Sequence, residues 1–120
     1  MKLDHIVINA SDQAASLAWY EALLPLIGFK KSADHIWGNA DGNYIDLRQA
    51  NEPSKNYERH GAGVNHIGFT APSEEAVEGI RAAMKDKGFE VPDIQVIEGT
   101  TCLFMRDRDG FRVEISYYPE

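Results

Sequence analysis

The chain carries a single cysteine, Cys102, among 120 residues. A lone thiol excludes an internal disulfide and a cysteine-rich zinc site. Cys102 reads as a small buried residue, because no neighbour is evident to activate it as a nucleophile. Nowhere does the sequence approach the roughly 18 apolar residues that a membrane span requires. The opening Met1-Lys2-Leu3-Asp4-His5 lacks the apolar stretch of a signal peptide, since a charge stands at Asp4. The expected location is the cytoplasm. Basic clusters are also missing. Lys30-Lys31 is only a pair, and Arg106 and Arg108 alternate with Asp107 and Asp109. With a net charge of −7, the average surface repels a phosphate backbone or an anionic membrane. Neither nucleic acid nor membrane is an expected partner.

What is present suits one globular domain. Hydrophobic residues make up 43% and charged residues 26% of the chain, enough for a real core without staples.

The chain repeats itself, which is its most informative property. Asp4-His5-Ile6-Val7-Ile8-Asn9-Ala10 matches Asn65-His66-Ile67-Gly68-Phe69-Thr70-Ala71. Each places His-Ile at the head of a short strand and then passes through a polar turn into a helix. Ser11 or Asp12 can cap the first helix, which runs through Ala14, Leu17, Ala18 and Leu24 to Pro25. Ser73 caps the second, with Glu74 and Glu75 at its positive end. Ala76, Val77, Ile80, Ala83 and Met84 form its apolar stripe. Gly28-Phe29 and Gly88-Phe89 close the two helices. The module ends match as well: Asp41-Gly42-Asn43-Tyr44-Ile45-Asp46-Leu47 corresponds to Asp109-Gly110-Phe111-Arg112-Val113-Glu114-Ile115. Asp-Gly signals a hairpin turn, and an alternating strand bearing a carboxylate follows in each case. The polar segment Gln49 to Gly63, with Pro53, Gly61 and Gly63, reads as a linker. The division is therefore a first module over about residues 1–50, a linker over 51–63 and a second module over 64–120 of a single domain.

Side chains alternate between the faces of a strand. Ile6 and Ile8 point one way, and His5, Val7 and Asn9 the other; Ile67 and Phe69 oppose His66, Gly68 and Thr70. Ile45 and Leu47 belong to the core face, leaving Tyr44, Asp46 and Arg48 outside it. Val113 and Ile115 likewise leave Arg112, Glu114 and Ser116. If the first and last strands of each module are neighbours, acid and histidine share a face in both halves. A pseudo-twofold arrangement of two βαβββ modules into one cupped mixed sheet, an α+β fold, would gather His5, Asp46, His66 and Glu114 around one divalent metal. Imidazole and carboxylate together suit Zn, Ni, Co, Mn or Fe. Four protein ligands leave positions open for water or substrate oxygens, as a catalytic metal requires. Asp46 is the weakest member, being one methylene shorter than Glu. Arg48, Arg112 and Tyr44 lie on the same faces and are candidate substrate-binding residues.

Other residues read as structural. Trp19 and Tyr20 suit the core, His35 and His60 solvated surface, and Asp107-Arg108-Asp109-Gly110 a hairpin turn rather than a calcium loop.

At this point the residues resemble a known family. Asp4-His5-Ile6-Val7-Ile8, Ser16-Leu17-Ala18-Trp19-Tyr20-Glu21, Leu23-Leu24 and Gly28-Phe29-Lys30 are similar to the opening of vicinal-oxygen-chelate proteins, and Phe104 through Ile115 to their closing strand, turn and strand. That superfamily includes glyoxalase I, extradiol dioxygenases, and fosfomycin and bleomycin resistance proteins. The resemblance covers almost the whole chain. It implies the two-module fold, a homodimer, and a small-molecule substrate that chelates one divalent metal through two oxygens. The leading expectation is a glyoxalase-I-like metalloenzyme, a lyase or isomerase, with Glu114 as the catalytic base. The alternatives are an Fe(II) extradiol-type dioxygenase, using His5, His66 and Glu114, and a non-enzymatic drug-binding protein of the bleomycin-resistance type. Two departures stand out: Asp46 where glyoxalase I has Glu, and Arg108 in place of the usual turn proline.

Overall fold

A computed structural model describes residues 1–120, which fall into two compact units, Met1–Asn56 and Tyr57–Glu120. Each is a βαβββ module, and the fold is α+β. The first unit comprises β1 (His5–Ala10), α1 (Gln13–Leu23), β2 (Lys30–Ala33), β3 (Ile36–Gly38) and β4 (Tyr44–Gln49). The second comprises β5 (His66–Thr70), α2 (Glu74–Asp86), β6 (Gln95–Ile97), β7 (Thr100–Arg106) and β8 (Arg112–Tyr117). Strand order is β1-β4-β3-β2 in the first sheet and β5-β8-β7-β6 in the second. In each, the first and last strands pair in parallel and the remaining neighbours are antiparallel. That pairing is the one the shared face of histidine and acid requires.

Local chemistry sets the helix ends. Asp12, rather than Ser11, caps α1, accepting from the Ala15 amide at 3.1 Å. Ser73 caps α2 by accepting from the Ala76 amide at 3.1 Å. A short 3-10 turn over Leu24–Ile27 carries Pro25 in its first turn. It ends at Gly28, whose φ of 90° only glycine adopts freely.

In the first unit, Ser16, Trp19, Tyr20 and Leu23 form the buried face of α1, and Ala14 and Ala18 face solvent. The buried face joins Ile8, Ala10, Trp37, Ile45 and Leu47 from the sheet in one core. In the second unit, Val77, Ile80 and Met84 of α2 join Leu103, Met105, Val113 and Ile115. Each fully buried side chain of this size contributes roughly 1.5–3 kcal/mol. Trp19, Tyr20 and Cys102 are buried, as expected. Asp107 Oδ1 accepts from the amides of Asp109 and Phe111, both at 2.9 Å, so Asp107 to Gly110 is indeed a hairpin turn.

The linker behaves differently from a simple polar tether. From Tyr57 onward it is tied to the second unit. The Tyr57 hydroxyl donates to the carbonyls of Val64 and Asn65, and the Tyr57 ring packs edge-on against Phe111 with centroids 5.2 Å apart. Asn65 Nδ2 donates to the Arg59 carbonyl at 2.9 Å. No helix is long and apolar enough to cross a membrane.

Candidate metal centre

The Thr101 hydroxyl donates to Glu74 of α2 at 3.1 Å, so Thr101, Leu103 and Met105 mark the helix-covered face of β7. Alternation places Phe104 and Arg106 on the opposite face. Register extends that face to Arg112, Glu114 and Ser116 of β8, and then to His66 and Gly68 of β5.

On this face His66 and Glu114 meet: His66 Nε2 lies 3.0 Å from Glu114 Oε1. Gly68 is the register partner of Glu114, and a Cβ added at Gly68 would meet only the Glu114 Cβ, at 3.9 Å. The other oxygen, Glu114 Oε2, accepts from the Ser116 hydroxyl at 2.5 Å. His66 Nδ1 lies 2.8 Å from Asn65 Oδ1. Because Asn65 Nδ2 is committed to the Arg59 carbonyl, the atom facing His66 is an oxygen, which only accepts. The Nδ1 nitrogen therefore carries the proton. In a neutral imidazole, Nε2 is left with a lone pair facing a carboxylate oxygen. A second proton or a cation resolves that repulsion. Two donors about 2.1 Å from one ion and at right angles lie about 3.0 Å apart, so the pair fits one edge of a metal's coordination shell.

The first unit treats its acid differently. Both oxygens of Asp46 are engaged: Oδ1 by His35 Nδ1 at 2.6 Å and Oδ2 by Arg48 Nε at 2.7 Å. The side chain is 9% exposed. Burial alone pushes the Asp46 carboxyl upward, but the hydrogen bonds from Arg48 and His35 and their charges outweigh it and hold the carboxyl below its ordinary value. His35, expected at the solvated surface, is thus the partner of a buried carboxylate; His60 is exposed as expected. His5 does not touch Asp46, whose register neighbour on β1 is Val7. Its Nδ1 instead lies 2.6 Å from Asp4 Oδ2, which again leaves Nε2 for another partner. That bond is the main reason the exposed Asp4 carboxyl lies below its ordinary value. Within neither unit do three His, Cys, Asp or Glu side chains form a metal-ligand group.

The expected substrate-binding residues have distinct settings. Tyr44 is partly exposed, and its ring lies across Gly38, where a Cβ would come within 2.6 Å of Tyr44 Cε1. Arg48 holds Asp46 through Nε and is otherwise exposed. The Arg112 guanidinium stacks 4.5 Å over the Phe104 ring. Burial, then the charges of Arg59 and Arg106, pull the Arg112 group below its ordinary value.

The residues that orient the two histidines were not singled out from sequence. The signal was nonetheless in the repeat: an acceptor side chain, Asp4 or Asn65, directly precedes each histidine. Polar support of this kind behind a ligand imidazole fixes its tautomer and direction.

The model of the Glyoxalase/Bleomycin resistance protein/Dioxygenase superfamily matches residues 2–115. The chain belongs to this superfamily. It is 28% identical to the uncharacterised protein YqjT of Bacillus subtilis (strain 168), covering 94% of this chain and 96% of that protein. Among solved structures, it is similar to a glyoxylase/bleomycin resistance protein/dioxygenase domain from Frankia sp. EAN1pec. That match has a TM-score of 0.81 at 18% identity over 100% of this chain and 93% of the other. A glyoxalase-like protein from Bacillus halodurans matches with a TM-score of 0.82 at 24% identity, over 97% and 95% of the two chains. At these identities the superfamily fold is what the structures share.

Proposed function

We propose that the chain is a divalent-metal-dependent enzyme of this superfamily, acting on a small molecule that offers two oxygens to the ion. The observation that carries the proposal is the 3.0 Å approach of His66 Nε2 to Glu114 Oε1, with Asn65 holding the proton on the far side of the ring. His66 and Glu114 are the core of the ligand set, and the sequence repeat offers His5 as a further donor. Asp46 stands outside the set, because His35 and Arg48 already occupy both of its oxygens.

When bound, the ion supplies a Lewis acid that draws electron density from the substrate's oxygens. The chain's own residues do the rest. Asn65 aims His66, and Ser116 steadies the Glu114 carboxylate through one oxygen. Glu114 is the proton carrier: it takes a proton from the carbon beside the substrate's carbonyl and returns it to the neighbouring atom, as a lyase or isomerase of the glyoxalase type requires. Arg112, on the same face as His66 and Glu114, positions the substrate.

A second reading is favoured by the engagement of Asp46. Two histidines and one carboxylate are the set used by non-haem Fe(II) oxygenases, and the sequence repeat offers His5, His66 and Glu114 for an extradiol-type dioxygenase.

Elemental analysis of protein purified without chelators tests the proposal. The wild type is expected to hold about one divalent ion per chain. His66→Ala and Glu114→Gln lose the ion, and Asp46→Asn retains it. Turnover of the methylglyoxal hemithioacetal supports the lyase reading, and ring opening of catechols under air supports the dioxygenase reading. Wild-type protein without stoichiometric metal overturns both in favour of a drug-binding protein.

A further inference from the structure

Arg112 and Arg106 are directly opposed in the antiparallel pairing of β7 and β8, so their side chains leave the same face as neighbours. Like charges placed so repel. Arg59, from the segment preceding β5, adds a third positive charge that acts on Arg112. The chain carries a net charge of −7, yet no salt bridge within the unit takes up Arg59 or Arg112. The Nε atoms of both are buried without a hydrogen-bond partner. Buried donors left unpaired are costly, and a native chain keeps few of them.

The Phe104 ring, 4.5 Å from the Arg112 guanidinium carbon, accounts for where the group lies but not for its unpartnered Nε. A guanidinium carries its N–H bonds in its own plane, the geometry that grips a carboxylate or phosphate. Glu114 offsets part of the Arg112 charge, but its oxygens already face His66 and Ser116. The support is also in place: Asn65 ties the Arg59 backbone to the base of β5, and Tyr57 pins the same segment against Phe111.

We propose that Arg59, Arg106 and Arg112 form an oxyanion-binding site on the second module, taking a phosphate or carboxylate group of a small molecule. The site lies on the face that carries His66 and Glu114, with Arg112 as the register partner of His66. The ligand of the proposed metal centre is accordingly an acid, anchored by its anionic end while its other oxygens reach the ion. This last step rests on the metal-enzyme reading; the oxyanion site does not.

Calorimetric titration of the full chain with sodium phosphate and, separately, with sodium acetate tests the site, with sodium chloride at matched ionic strength as the reference. Saturable binding of either anion is expected for the wild type, phosphate indicating a phosphoryl ligand and acetate a carboxylate. Arg59→Gln and Arg112→Gln weaken it at least tenfold, and Arg81→Gln leaves it unchanged. Arg106→Gln supplies a signature that lost packing cannot mimic. Without anion it raises the melting temperature, because it removes repulsion; in saturating phosphate or acetate it melts below the wild type. His66→Ala retains anion binding, so failure of the metal centre and failure of this site are separately visible. Absence of anion binding beyond the chloride reference overturns the proposal, as does equal loss in Arg81→Gln.

Discussion

Gly68 is the register neighbour of Glu114 across the parallel pair β5–β8, whereas Asp46 has Val7 in the corresponding place on β1–β4. Gly68 sets no side chain beside the His66 imidazole and the Glu114 carboxylate, which lie 3.0 Å apart. In the first module a branched side chain stands beside the acid, and the shorter Asp46 turns to His35 and Arg48 instead.

Gly68→Val should therefore separate binding from folding. Valine suits a strand better than glycine, so thermal stability should hold or rise by up to about 1 kcal/mol. The added methyl groups intrude between His66 and Glu114, and metal content, measured by elemental analysis, should fall sharply. Unchanged metal content would refute the account.

Asp46 gives the first module a pH dependence of known sign. Its carboxyl lies below its ordinary value in the folded chain. The resulting stabilisation is complete above the ordinary carboxylate range and is lost as pH falls through and below it. Urea unfolding at a series of pH values should show wild-type stability dropping on acidification, with a shallower drop in Asp46→Asn. At neutral pH, Asp46→Asn should cost about 1–3 kcal/mol by weakening the bonds to Arg48 and His35.

Asp107 caps its hairpin with a single oxygen that serves two amides. Asp107→Ala strips both of their acceptor in a part-buried turn. A loss of roughly 1–3 kcal/mol follows, readable as a lower urea midpoint with an unchanged m-value. Arg108, exposed beside it, should tolerate Ala within about 0.5 kcal/mol.

Gly38 and Tyr44 form a coupled pair. A methyl group at residue 38 meets the Tyr44 ring at 2.6 Å, so Gly38→Ala should destabilise by about 1–3 kcal/mol. In a Tyr44→Ala background the same change should be neutral or stabilising. A double-mutant cycle with a coupling below about 0.5 kcal/mol would show the contact to be unimportant.

Much of this architecture was legible before any coordinates, because its signals are local. The caps at Asp12 and Ser73, the Asp-Gly turns and the two-residue alternation of each strand act over a few residues. The repeat linked these signals, placing each histidine and acid on one face. What escaped was set by distance. His35 reaches Asp46 because the β3–β4 pairing sets its neighbour Ile36 opposite Asp46 and the Leu47 amide donates to the His35 carbonyl. Arg59 matters only because the supposed linker folds onto its own module from Tyr57 onward. Neither arrangement leaves a periodic trace in the chain.

Each module zips its own opening strand to its own closing strand. A half built this way completes its sheet without borrowing a strand, so its polar face can drift while the other half keeps its chemistry. Val7 stands beside Asp46, whose oxygens His35 and Arg48 clasp, whereas Gly68 stands beside Glu114, whose Oε1 faces His66. Duplication in such a fold supplies a spare half in which specialisation can begin.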